Sequence, residues 1–260
     1  MLPRPKKRFG QHFLTDRHYL RRIVDTIDPR HGQAMVEIGP GTGLLTEELV
    51  PRLGHLHVVE IDRELAAALR TRFEPTQLTV HEGDALEFDF ASLPSPLRVV
   101  GNLPYNVSSP ILFRIAGVAD RVEDATFMLQ KEVVDRMVAA PGTEAYGRLS
   151  VMLQYRFAMA RRFDVPPGAF TPPPKVDSAV VSMRPLPPER PRARDEEAFA
   201  GVVAAAFAQR RKTLRNAARA FVDAEGFTRA GIDPVRRGET LSVAEFIALA
   251  DVSRRDSSLQ

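Results

Sequence analysis

Cysteine is absent from the 260-residue chain, which excludes disulfide bridges, thiolate zinc sites and cysteine nucleophiles. No apolar run approaches the roughly 18 residues of a membrane span, so no membrane partner is expected. The N-terminal residues are basic, but no apolar segment follows them, and a secretory signal is not expected. These absences leave the cytoplasm as the default compartment, and no feature calls for more than a monomer. Hydrophobic residues make up 44%, enough for a sizeable core in one large domain or one domain with an appendage.

Acids are also scarce in two stretches, although the net charge is only +3. Between Met1 and Arg22 stand Arg4, Lys6, Lys7, Arg8, Arg17, Arg21 and Arg22, opposed by Asp16 alone. Between Ala205 and Arg219 stand Arg210, Arg211, Lys212, Arg215 and Arg219, with no acid at all. Such clusters suit a polyphosphate partner, because each phosphate contact releases condensed counterions. A solvated face is the plainer reading of either run.

Leu20, Ile23, Val24 and Ile27 fall at helical spacing, with Thr15 or Asp16 placed to cap that helix. A strand at 34–38 is expected next, then a glycine-rich turn and a helix through Leu45 to Val50. Further strands are expected at 56–61, 77–81, 97–100 and 125–129, with a helix at about 62–72 and helical patterns after the last two strands. That alternation predicts an α/β, doubly wound, Rossmann-like sheet. Leu149–Phe157 and Ser178–Met183 read as a closing antiparallel hairpin. The proline cluster between Pro185 and Pro191 reads as a linker. Beyond it the stripes are helical, one through Phe199, Val202, Val203, Ala206 and Phe207, another opened by a capping box at Ser242 and Glu245. The expected division is a catalytic domain over 1–185, with a basic arm at 1–15, and a small all-helical domain over 192–252.

Gly39-Pro40-Gly41-Thr42-Gly43 falls where the first expected sheet strand turns into a helix. Glycines there allow a sharp turn and close approach of backbone to a ligand. The spacing is G-x-G-x-G rather than the G-x-G-x-x-G of nicotinamide enzymes, which favours a nucleoside cofactor without a pyrophosphate. Glu60 ends the second of these strands and can accept from ribose hydroxyls, or serve only as a strand-end acid. Asp84, just after the third, can accept from an adenine amine, cap a helix, or do both.

Asn102-Leu103-Pro104-Tyr105 follows the apolar Val99-Val100-Gly101. An adenine amine is a poor nucleophile because its lone pair is delocalised into the ring. Two acceptors that take its hydrogens draw the nitrogen toward a pyramidal geometry. The Asn102 side-chain oxygen and the Leu103 or Pro104 carbonyl are suited to this, and Tyr105 offers a π-face for the base. Such a site works by positioning and electrostatics, without a metal or a dedicated base.

With these motifs the chain resembles the ribosomal RNA adenine N6-dimethyltransferases over nearly its whole length. The likeness rests on Arg8 to Leu14, the glycine loop, Asn102 to Asn106, Gln130 to Val133, Tyr146 to Ser150, Phe170 to Ser178 and Phe207 to Asn216. It implies an S-adenosylmethionine-dependent enzyme that dimethylates two adjacent adenines in a hairpin near the 3′ end of 16S rRNA, contributing to small-subunit biogenesis. By the same resemblance His12, Leu14, Gly39, Gly41, Glu60, Asp84 and Asn102 line the cofactor, while Tyr105 and Phe170 sandwich the target adenine. The family often carries Asn at position 12, where this chain has His; a backbone contact survives that change. Without the resemblance Phe170 reads as a core aromatic. The resemblance also gives Arg8, Arg210, Arg211 and Lys212 the task of holding folded RNA by its phosphates. A large-subunit, antibiotic-resistance type of enzyme is the first alternative; the run Gln209 to Leu214 resembles the small-subunit branch instead. An assembly factor with dispensable catalysis is the second.

Overall fold

The computed structural model describes residues 11–209 and 211–253. A two-residue strand β1 (Phe13–Leu14) leads into helix α1 (Arg17–Ile27). Asp16 caps that helix, its carboxylate accepting the His18 N–H at 2.7 Å, and the four apolar positions of α1 are buried. Strand β2 (Ala34–Ile38), helix α2 (Leu44–Leu53), strand β3 (Leu56–Glu60), helix α3 (Arg63–Arg72) and strand β4 (Leu78–Glu82) follow in strict alternation. The pattern continues with β5 (Leu97–Asn102), α4 (Ser108–Gly117), β6 (Val122–Gln130) and α5 (Lys131–Val138). After these come α6 (Arg148–Gln154), β7 (Phe157–Val165), the short β8 (Phe170–Thr171) and β9 (Ser178–Pro185).

Among the described residues seven strands form one sheet in the order β4-β3-β2-β5-β6-β9-β7. The pairs from β4 through β6 are parallel, and β9 runs antiparallel to both neighbours. Successive strands are added on one side from β2 to β4 and on the other from β5 to β6. The order therefore reverses between β2 and β5, and a crevice opens at their carboxyl ends, the place where such sheets bind ligands. Both sequence motifs of interest follow directly from those two strands. Leu20, Val24 and Ile27 pack with Leu49, Val50, Met35, Val58 and Val180 in the core behind them.

The closing hairpin exists as β7–β9, but the segment 148–154 is a helix rather than the expected strand. Leu149, Val151, Leu153 and Tyr155 alternate as strand residues do, yet Leu149, Ser150, Val151 and Leu153 are all buried. Burial of three consecutive residues, 149–151, blurs the period that separates helix from strand. Side-chain bonds settle the helix: Ser150 Oγ accepts the Gly147 N–H at 3.0 Å, and Gln154 Nε2 donates to the carbonyls of Met137 and Ala139.

The chain falls into two compact units. The first runs through Val134 and takes in Phe157–Pro185; the second comprises Asp135–Arg156 and the chain from Leu186 onward. The single division at the proline cluster thus becomes three crossings, the first of them inside α5, where no change of composition marks it. The second unit contains α7 (Glu196–Ala208), α8 (Leu214–Ala217), α9 (Ala224–Ala230) and α10 (Val243–Asp251). Its core includes Tyr146, Phe199, Val203, Phe227, Phe246 and Leu249. The capping box opens α10: Ser242 Oγ accepts the Glu245 N–H at 3.2 Å and Glu245 Oε2 accepts the Ser242 N–H at 2.8 Å.

Candidate active site

The glycine loop leaves β2 with its backbone in the left-handed region. At Gly41, φ is +58°, and an added Cβ would lie 2.9 Å from the Phe13 ring. Only glycine suits that position. Its N–H donates to Glu60 Oε2 at 3.0 Å, and the other oxygen of Glu60 accepts the Asp62 N–H at 2.8 Å. Glu60 is 3% exposed. Burial raises its pKa above the usual carboxylate value, and the backbone amides only partly offset this. The two amides fix the orientation of the carboxylate and leave lone pairs for further donors.

Asp84 sits in a turn rather than at a helix start. Its carboxylate accepts the Leu86 N–H at 2.9 Å, closing a local turn, and the residue also lines the cavity. On the other side, β5 approaches β2 so closely that a Cβ on Gly101 would sit 2.4 Å from the Ile38 carbonyl oxygen. Gly101 thus lets the strand end reach its position and deliver Asn102.

Asn102 Nδ2 donates to the His12 carbonyl at 3.0 Å. A carbonyl only accepts, so the amide nitrogen must face it, and this orients the side chain. The Asn102 amide oxygen points away from that bond. The Pro104 carbonyl accepts the Val107 N–H at 3.2 Å within the turn. Tyr105 follows, its hydroxyl 2.6 Å from Ser178 Oγ and its ring stacked on His12 at 5.5 Å between centroids. Burial raises the Tyr105 pKa, so the phenol stays neutral. The His12 Nδ1 lies 2.8 Å from the Pro172 carbonyl and must carry the proton of that bond.

A cavity of about 270 Å³ joins these groups. His12, Leu14, Gly39, Gly41, Glu60, Asp84, Asn102, Leu103, Pro104 and Tyr105 all line it. Phe170 does not: it is 3% exposed and packs in the core, paired in register with Leu14 across β8 and β1. Arg8 and Arg210 lie outside the described residues. Arg211 and Lys212 are exposed in the second unit. Among the described residues no group of three His, Cys, Asp or Glu is placed to hold a metal ion, and no helix is long and apolar enough to cross a membrane.

Glu37, which no sequence motif singles out, lines the same cavity. It is 2% exposed and accepts the Thr46 hydroxyl at 2.7 Å. Burial, with a smaller contribution from the charge of Glu60, pushes its pKa up to about 7. The signal available in the sequence was an acid inside the otherwise apolar strand Met35-Val36-Glu37-Ile38.

A parallel sheet reversing beside a glycine loop, with an acid ending the next strand, defines a Rossmann-like S-adenosylmethionine-dependent methyltransferase. The fold matches a dimethyladenosine transferase from Plasmodium falciparum with a TM-score of 0.75 at 24% identity, covering 92% of this chain and 96% of that one. It matches the 23S rRNA methyltransferase ErmE with a TM-score of 0.69 at 27% identity, covering 92% and 98%. The chain belongs to the ribosomal RNA adenine dimethylase family, whose model matches residues 3–254. It is 63% identical to the ribosomal RNA small subunit methyltransferase A of Aromatoleum aromaticum, over 95% of this chain and 94% of that protein. The protein of the same name from Laribacter hongkongensis is 59% identical, with 95% of each chain covered.

Proposed function

We propose that the protein transfers methyl groups from S-adenosylmethionine to the N6 atoms of two adjacent adenines in a 16S rRNA hairpin of the small ribosomal subunit. The observation that carries the chemistry is the orientation of Asn102. With its nitrogen committed to the His12 carbonyl, its amide oxygen is the end available to an adenine amine. The Pro104 carbonyl already accepts the Val107 N–H, and the second acceptor is the Leu103 carbonyl or the remaining lone pair of Pro104. Accepting both amine hydrogens turns the nitrogen lone pair out of the ring plane, a geometry that matters mainly in the transition state. Tyr105, and Phe170 once its ring leaves the core, would hold the base.

The cavity residues fit the cofactor. Glu60 offers lone pairs to ribose hydroxyls, Asp84 to an adenine amine, and Gly41 has no Cβ where the chain must pass close. Bound there, S-adenosylmethionine supplies an electrophilic methyl group on a sulfonium. Glu37 lines the same cavity, and with its pKa raised to about 7 it can ionise beside a cationic ligand. No metal enters this scheme. Arg8, Arg210, Arg211 and Lys212 are assigned to RNA phosphates, and the enzyme is taken to act as a cytoplasmic monomer. The names of its relatives favour the small subunit over the large one as substrate.

The test is transfer of labelled methyl groups to small subunits lacking adenine dimethylation, with large subunits in parallel. Label is expected as N6,N6-dimethyladenosine in small subunits only. Asn102→Ala is expected to bind S-adenosylmethionine nearly normally and to transfer methyl at least ~100-fold more slowly, the scale of losing one oriented transition-state partner. Near-normal turnover by this variant would remove the proposed mechanism, and label on large subunits would reassign the substrate.

A further inference from the structure

We propose that Ser178 is a positioning residue for methyl transfer, its hydroxyl anchoring the Tyr105 ring in the plane the target base must meet. The proposal rests on the reading of Tyr105 as the platform for that base. Ser178 opens β9 and is paired on both sides, with Gln130 of β6 and Val165 of β7. Its residue exposure is 0%. A side chain that short, on a backbone laddered to two strands, places its oxygen at a nearly fixed point of the sheet.

Tyr105 has no such support of its own. It sits in the turn between β5 and α4, outside the sheet ladder, where an aromatic side chain has several staggered χ1 wells to choose from. The turn is tied near Tyr105 by a bond from Ser108 Oγ to its carbonyl at 3.2 Å, which leaves χ1 free. The ring itself meets two constraints. Its hydroxyl is 2.6 Å from Ser178 Oγ, and one face is stacked on His12, the planes 25° apart. His12 is in turn held through Nδ1 to the Pro172 carbonyl. An edge contact and a face contact together define the plane of a ring. Of the two, the Ser178 contact comes from the stiffer element.

A part-buried hydroxyl pair also needs a reason, because Phe beside Ala would fill the space with no polar groups to satisfy. Base stacking uses only the π-face, and the Tyr105 hydroxyl is directed away to the strand. Its function under this proposal is to hold the platform still. A platform that wobbles costs rate rather than affinity, since methyl transfer requires the amine to be aligned with the sulfonium and binding does not.

Four variants of the full-length protein test this: Ser178→Ala, Tyr105→Phe, the double variant, and Tyr105→Ala. Rates and KM values are measured with S-adenosylmethionine and small subunits lacking adenine dimethylation, and thermal unfolding is followed in parallel. Ser178→Ala and Tyr105→Phe are each expected to lower kcat about tenfold, the equilibrium scale of one hydrogen bond, with the KM for S-adenosylmethionine unchanged. The double variant is expected to be no slower than either single one, because all three lack the same bond. Tyr105→Phe removes that bond without touching β9, so a merely structural role of Ser178 cannot reproduce its effect. Wild-type kcat in either single variant, or additive slowing in the double, overturns the proposal. If Tyr105→Ala is strongly impaired while the two milder variants are not, the anchor fails and the platform stands. If Tyr105→Ala also turns over normally, the platform reading falls with it.

Discussion

The two carboxylates beside the glycine loop show how environment assigns different behaviour to one residue type. Glu60 receives two backbone N–H groups, whereas Glu37 receives one hydroxyl and is pushed up to about 7. Because the folded pKa of Glu37 exceeds the unfolded value of 4.5, its favourable contribution is complete below pH 4.5 and is lost as pH rises through 7. Ionised Glu37 therefore destabilises the protein without cofactor at alkaline pH, by about 3 kcal/mol at most on the scale of 1.4 kcal/mol per unit. Glu37→Gln keeps an acceptor for Thr46 and carries no charge. It is expected to melt several degrees above wild type at pH 8 and to lose that advantage near pH 5. A melting difference that is the same at both values would show that ionisation of Glu37 has no part in it. Asn102 stood out from sequence because a motif surrounds it, and Glu60 because it ends the strand that follows the glycine loop and its helix. Glu37 stands in the strand before the glycine loop, and nothing about a strand residue says which way it faces until the neighbouring strands are placed.

At the scale of elements, the site depends on how closely β5 approaches β2. Gly101 is needed there for space rather than for conformation, since the obstacle is the Ile38 carbonyl, a backbone atom that cannot swing aside. Gly101→Ala is expected to destabilise the first unit by about 1–3 kcal/mol, the range for forcing extra volume into a packed region. It should also slow methyl transfer by displacing Asn102. Gly117→Ala is the matching control: its Cβ would meet nothing within 4 Å, and no loss of stability is expected. Equal melting temperatures for wild type and Gly101→Ala would mean that the strands separate easily there. Elements with a half-buried face, such as α1, were legible from their spacing. The 148–154 helix was not, because burial of the consecutive residues 149–151 blurs the period.

For the whole molecule the question is how a folded RNA is held. Arg211 and Lys212 are exposed in the second unit, and Arg210, Arg211 and Lys212 are the residues the family resemblance assigns to RNA. Replacing all three with Ala is expected to weaken binding to small subunits and to flatten the plot of log affinity against log salt, by roughly 0.7 to 0.9 for each phosphate no longer neutralised. An unchanged slope would identify the cluster as a solvated face. The same variant should retain its affinity for S-adenosylmethionine, because every residue lining the cavity belongs to the first unit.

The order of strands and helices apart from the 148–154 helix, the glycine loop, Asn102 to Tyr105 and the capping box of α10 were readable along the chain. Each is a local arrangement whose chemistry lies within a few consecutive residues. The partners of those residues were not readable. That the Asn102 nitrogen meets the His12 carbonyl, that Ser178 holds the Tyr105 hydroxyl, and that Phe170 rests in the core rather than in the cavity all join positions separated by tens of residues. The second unit's claim on Asp135–Arg156 is of the same kind. Such contacts depend on strand register and on competition for buried space, and these exist only once the chain has folded.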